Sequence, residues 1–193
     1  MLYKDLPIEK SLDLYADTDT LSKTVEGLVH IAVFKVEGQK FAVITDTAAT
    51  TFYKYYKHHY KQIAADKAAM AFMIKPMQYK DFNADGYTDV WYSVPSGGFY
   101  GDDDFILFYD PKTQSLIYNK EPQLRNIKVN GNTIVSGNKF WWNTYTIRDT
   151  AFLLRETLIY LQGNDDDKKV LSKYSETGAL LNSDTLYVDE NDW

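Results

Sequence analysis

Nine residues, Asp81-Phe82-Asn83-Ala84-Asp85-Gly86-Tyr87-Thr88-Asp89, space hard oxygen donors at regular intervals. Ca2+ takes six to eight oxygens at roughly 2.3–2.6 Å from a flexible loop. Side-chain oxygens at positions 1, 3 and 5 (Asp81, Asn83 and Asp85) can turn inward together, and Gly86 at position 6 permits the sharp turn. The carbonyl of Tyr87 at position 7 is then a fourth protein ligand, and Asp89 at position 9 binds directly or through water. An EF-hand closes with Glu at position 12. Here that position is Tyr92, and Val90-Trp91-Tyr92-Ser93-Val94 reads as a strand, so helix–loop–helix is not expected. The alternative is an Asp/Asn/Gly-rich turn without metal. Carboxylates packed this densely repel one another unless a cation sits among them, which favours Ca2+. Its expected role is structural, since no water-activating base stands nearby in sequence.

A second cluster follows, Ser96-Gly97-Gly98-Phe99-Tyr100-Gly101-Asp102-Asp103-Asp104. Aromatic anchors on a glycine-framed protrusion suit a recognition loop for a protein partner. The alternatives are a long mobile hairpin loop, or Asp102–Asp104 as further metal ligands. Phe140-Trp141-Trp142 with Tyr145 is either a sugar platform or core and sheet edge.

Catalytic constellations mostly fail, and paired carboxylates for glycoside hydrolysis stay open because their separation is a three-dimensional quantity. Gly-x-Ser-x-Gly, His-Glu-x-x-His, Gly-x-x-x-x-Gly-Lys and Gly-x-Gly-x-x-Gly do not occur. His30 falls in a β-rich run, and His58 and His59 have no motif neighbours. A binding protein rather than an enzyme is expected. The chain has no cysteine, which excludes disulfides, Cys-ligated zinc and thiol nucleophiles. Its net charge of −6 argues against a nucleic-acid partner held through phosphates. No apolar stretch approaches the length of a membrane-spanning helix, and no signal peptide opens the chain.

The elements that must position these residues are mostly strands. Tyr, Phe and Trp make up 16% of the 193 residues, which tilts the fold toward β. Leu28–Lys35 and Lys40–Thr45 flank Glu37-Gly38 as a hairpin. Phe105–Tyr109 and Ser115–Tyr118 flank a turn opened by Asp110-Pro111. Leu124–Val129 and Thr133–Val135 flank Asn130-Gly131-Asn132, and Tyr145–Arg148 and Ala151–Leu161 flank Asp149-Thr150. Phe52, Tyr55, Tyr56, His59, Tyr60 and Ile63 recur at steps of 3, 1, 3, 1 and 3, which predicts one short helix over 49–62; a Tyr-rich strand is the rival. The fold class expected is mainly β: antiparallel sheets, propeller-like or sandwich-like, in one domain over 1–162. Residues 163–193 carry eight acids against three lysines, a net of −5, and are expected to be a solvated, partly mobile segment or an acidic arm for a basic partner.

The order of these features over 70–161 resembles the periplasmic inhibitor proteins of Xanthomonas type. The strand-flanked Asp81–Asp89 loop is similar to the D-x-[DN]-x-D-G-x-x-D loop of FG-GAP and integrin-like propeller repeats. That resemblance implies a propeller-like fold, bound calcium and often a lipid anchor on a longer precursor. It also implies a periplasmic or cell-surface location, where such proteins protect bacteria against peptidoglycan hydrolases delivered by competitors. Ser96-Gly97-Gly98-Phe99-Tyr100 matches the Ser-Gly-x-x-Tyr loop of the more distantly similar periplasmic lysozyme inhibitors. Their second motif, Tyr-x-x-x-Lys-Gly, is absent here, and Asp102–Asp104 would repel the acidic residues of a lysozyme cleft. The resemblance therefore points to an immunity protein against a hydrolase with a basic rim or a zinc amidase. A cell-surface adhesion or carbohydrate-binding module using Trp141, Trp142 and Tyr100 is the alternative.

Overall fold

Aromatic and β-branched residues dominate the runs between turns, and these runs pair into three antiparallel sheets, none of them closed into a barrel. The structure, a computed structural model, describes residues 12, 21–25, 29–46, 48–66, 75–95, 101–138, 140–161 and 168–187. The first sheet is a meander of β1 (Leu21–Val25), β2 (Val29–Val36), β3 (Gln39–Thr45), β4 (Thr50–Tyr56) and β5 (His59–Asp66). The second contains β6 (Gln78–Lys80), β7 (Asp89–Pro95) and β8 (Asp102–Asp110). β9 (Ser115–Tyr118) and β10 (Leu124–Arg125) both pair with β8. The third runs in order through β11 (Lys128–Asn130), β12 (Thr133–Asn138), β13 (Trp141–Arg148), β14 (Ala151–Leu161), β15 (Lys168–Tyr174) and β16 (Leu180–Tyr187).

The sheets stack as layers with the second in the middle. Side chains alternate across a strand, so a strand buried on both faces reads as a continuous apolar run. Phe105-Ile106-Leu107-Phe108-Tyr109 is such a run. Phe105, Leu107 and Tyr109 join Phe41, Val43 and Phe52 of the first sheet. Ile106 and Phe108 join Ile134, Tyr145 and Ile147 of the third. Phe52 is 1% exposed and meets Tyr92 edge-on, with ring centroids 5.9 Å apart. Buried phenols hydrogen-bond across the first interface: Tyr92 OH with Thr45 Oγ1 at 2.9 Å, and Tyr118 OH to Asp66 Oδ2 at 2.6 Å. Burial drives both phenols above their ordinary range, and the Asp66 carboxylate adds to the effect at Tyr118.

The hairpins expected at Glu37-Gly38, Asp110-Pro111 and Asp149-Thr150 form at their turn residues, with Glu37 and Asp149 at φ of 48° and 55°. The strand expected over Leu124–Val129 divides: Lys128–Asn130 pairs with β12, whereas Leu124-Arg125 pairs with β8 of the second sheet, and Asn126 turns the chain between them with φ of 46°. The helix expected over 49–62 does not. That segment is the β4–β5 hairpin, with Tyr55 opposite Tyr60 and Tyr56 opposite His59. The steps of 3 and 1 that mimic a helical stripe are adjacent strand residues on either side of a two-residue turn. Lys57 and His58 turn the chain with φ of 47° and 71°, both left-handed as a type I′ turn requires. The Tyr55 and Tyr60 rings then meet at 5.1 Å. Leu12 is the one described residue in a helical conformation, and no helix stands between β1 and β16 among the described residues.

The acidic C-terminal segment is continuous with the sheets. Within it, β15 pairs with β14 from Glu156↔Lys173 to Leu161↔Lys168, and β16 pairs with β15.

Candidate metal loop and the adjoining polar cleft

The Asp81–Asp89 loop joins β6 to β7 in the middle sheet, as its flanks predict. It curls because Ala84 and Gly86 adopt φ of 60° and 90°, a conformation that glycine takes without a Cβ penalty. The curl turns the side-chain oxygens inward. Asp81 Oδ1 and Asn83 Oδ1 both accept from the Asp85 amide, at 3.2 and 3.3 Å, and Asp81 Oδ2 accepts from the Gly86 amide at 2.9 Å. Asp85 Oδ1 accepts from the Tyr87 amide at 2.9 Å, and Asn83 Nδ2 donates to Asp85 Oδ2 at 2.9 Å. Positions 1, 3 and 5 are thus brought together, and their donors are all oxygen, the chemistry Ca2+ prefers.

Asp89 is placed differently. It is fully buried, its Oδ2 accepting from the Phe82 amide at 2.9 Å and its Oδ1 from the Tyr109 amide at 2.8 Å. The carboxylate therefore closes the loop onto β8, and each oxygen keeps a lone pair beyond these bonds. Burial raises its pKa to about 6, the two amide bonds oppose that, and the negative charges of Asp85 and Asp81 add to it. Among the described residues no group of three or more His, Cys, Asp and Glu is gathered in metal-binding geometry.

One contact to this loop escaped the sequence. Glu37, in the β2–β3 turn of the first sheet, accepts from the Thr88 amide at 2.9 Å. The two residues are 51 apart in sequence, and no local pattern links them.

The Ser96–Tyr100 part of the expected recognition loop lies outside the described residues. Its far end is fixed at the head of β8. Asp102 N–H donates to Asn126 Oδ1 at 2.9 Å, and Asn126 Nδ2 donates to the Gly137 carbonyl at 2.8 Å. Gly101 has φ of 77°, which favours glycine, and a Cβ there would fall 1.9 Å from Asn126 Oδ1, so a side chain would have to displace that amide. The three aspartates that follow diverge. Asp102 pairs with Lys75, and Asp103 pairs with Arg125 Nε at 3.1 Å. Asp104 is 5% exposed: Trp91 Nε1 at 2.8 Å and Ser93 Oγ donate to its Oδ1, and the Ile127 amide donates to its Oδ2 at 2.9 Å. A cleft of about 260 Å³ opens over these groups, lined also by Gln78, Asn126 and Lys128.

Trp141 and Trp142 are neighbours on β13, so their side chains leave opposite faces of the sheet and do not build one platform. Lys128 Nζ lies over the Trp142 ring at 5.3 Å. His30 is buried in β2, with Nε2 3.3 Å from Ser22 Oγ, and burial lowers its pKa. It is a buried core group.

No helix among the described residues is long and apolar enough to cross a membrane. No protein-family model matches the chain, and comparison with curated proteins finds no relative.

Proposed function

We propose that this chain is a calcium-stabilised binding protein of the periplasm or cell surface, an immunity protein that blocks a secreted peptidoglycan hydrolase and is not itself an enzyme. One observation carries the reading: the connection between β7 and β8 springs from the most deeply packed sheet, and Asn126 and Gly101 clamp its base. Binding loops work best on a rigid scaffold, because less ordering entropy is lost on association. In this reading Ser96, Gly97, Gly98, Phe99 and Tyr100 reach the partner, with Tyr100 as the anchor. Asp102 and Asp103, paired with Lys75 and Arg125, line the rim with both signs of charge, and Asp104 supports them from below. Asp81, Asn83 and Asp85, the Tyr87 carbonyl and Asp89 hold Ca2+, which neutralises the loop's negative charge and keeps β6 and β7 in place.

The test has two arms. Adding Ca2+ to chelator-treated protein should raise the melting temperature, because an ion bound only by the native state stabilises it by mass action. Asp85→Ala should abolish that response. The second arm measures lysis of purified peptidoglycan by amidases and lysozymes with and without the chain. Inhibition should occur near equal stoichiometry, and Tyr100→Ala should weaken binding by about 2 kcal/mol or more, mainly through faster dissociation. An unchanged melting curve removes the ion, and absence of inhibition removes the target class. A carbohydrate-binding module is the second reading, favoured by the polar cleft beside Trp91. Saturable binding of a glycan without inhibition would support it.

A further inference from the structure

β16 is unusual within its sheet. Every residue from Leu180 to Leu186 is exposed, and Leu180, Leu181 and Leu186 are 58%, 67% and 44% exposed. The strand ends the sheet order, and among the described residues no strand pairs with its outer side. Edge strands that stay single are commonly protected by lysine, proline or a bulge along their length. β16 contains no lysine and no proline, Asp184 is its one charged residue, and its one register irregularity lies at its start, opposite Lys173/Tyr174.

We propose that β16 is a self-association edge at which a second copy of this chain pairs antiparallel, joining two six-stranded third sheets into one. The sequence of the strand identifies the occupant and the register. A two-fold axis perpendicular to a sheet keeps each face on its own side, so opposed residues must share a face and the axis must pass through a single residue position. With the axis at Ser183, Asn182 of each copy faces Asp184 of the other. The donor–acceptor pair that Asn182 Nδ2 and Asp184 Oδ2 form within the chain at 3.2 Å is then repeated across the axis twice. Ser183, whose Oγ already bonds Ser172 Oγ at 2.9 Å, meets its own copy. Leu180 comes level with Leu186 of the second copy and Leu181 with Thr185, covering the most exposed leucines of the strand. Moving the axis to Asp184 would set two carboxylates face to face, which is destabilising. Moving it to Asn182 shortens the paired stretch and leaves Leu186 uncovered. Self-pairing at Ser183 is the arrangement that keeps a long ladder without opposed charge.

Sedimentation equilibrium on the full chain from low to high micromolar concentration tests this. The mass should rise from 22.3 kDa toward twice that value. Ser183→Lys sets two ammonium groups across the axis and should return the protein to monomer, whereas Asp184→Lys, which faces Asn182, should leave the dimer within a few-fold of its original affinity. Circular dichroism on each variant checks that the strands remain. Amide hydrogen exchange on the unmodified chain gives a reading free of substitutions: exchange in β16 should slow as concentration rises. A mass fixed at 22.3 kDa overturns the proposal, as does a dimer whose formation leaves β16 exchange unchanged. A dimer broken by Asp184→Lys but not by Ser183→Lys overturns the register.

Discussion

Asp89 and Asp104 are two carboxylates in the same sheet with nearly the same task. Asp89 stands at the head of β7 and reaches past the last ladder pair to the Tyr109 amide of β8. Asp104 stands near the head of β8 and reaches the Ile127 amide between β10 and β11. Each closes a gap that regular pairing leaves, and burial raises the pKa of both. Their surroundings differ. Asp104 sits among donors, Trp91 and Ser93, and Asp102, whose charge opposes its ionisation, is itself paired with Lys75. Asp89 sits beside Asp81 and Asp85, whose charges oppose its ionisation. One carboxylate is balanced by the fold itself; the other is left with a charge that a cation would neutralise.

Asp104→Ala should give the largest effect. It strands an indole N–H, a hydroxyl and a backbone amide in a buried place, at about 1–3 kcal/mol for each unpaired group before relaxation. A loss on the order of 3–5 kcal/mol in urea unfolding is expected, the same in calcium and in chelator. A loss below about 1 kcal/mol would mean that water or repacking replaces the carboxylate.

Asp89→Ala strands two amides, so about 2–3 kcal/mol is expected in chelator. In calcium the loss should grow, because the ion's stabilisation disappears with its ligand. Equal losses in both conditions would make the two carboxylates alike and remove the distinction drawn between them.

The pH dependence separates them further. A carboxyl whose folded pKa is raised binds its proton more tightly in the native state, so its contribution to stability declines as pH rises from its unfolded pKa through its folded one. For Asp89 that window runs from 3.8 to about 6. In chelator, the stability of the wild type relative to Asp89→Asn should fall across this window. With Ca2+ present the decline should flatten, because the ion favours the ionised form. Differential scanning calorimetry at a series of pH values reads both slopes; a wild-type advantage that grows with pH would contradict the burial argument.

These features were unequally legible. Hairpins at Glu37-Gly38, Asn130-Gly131 and Asp149-Thr150 could be read because turn chemistry is local. The Asp81–Asp89 curl was readable for the same reason, its φ > 0 positions falling within a few residues of the oxygens they aim. The β4–β5 hairpin was misread because Lys57-His58 carries no Gly or Asn to mark its left-handed turn, which tyrosine pairing on the flanking strands stabilises instead. Asp102, Asp103 and Asp104 looked like one acidic patch. Strand alternation and the pairing of β8 with both β7 and β10 divide them, and those partners lie far away in sequence. The same holds for Trp141 and Trp142, adjacent in sequence and separated by the sheet between them.

Glu37 supplies the smallest and most selective test. It lies at a solvent-exposed turn of the first sheet, and its bond to the Thr88 amide lowers its pKa from 4.5. A depressed carboxyl contributes stability above its unfolded pKa and loses it as pH falls through the folded one. Glu37→Gln should therefore lower the melting temperature slightly at neutral pH and not at all in strong acid, the opposite trend to Asp89. Thr88 immediately precedes Asp89, so loosening it should also weaken Ca2+ binding by a few-fold without abolishing it. Calcium titrations of both proteins at neutral pH make the check. If Glu37→Gln leaves calcium affinity unchanged, the first sheet does not help set the loop, and the loop's geometry belongs to the middle sheet alone.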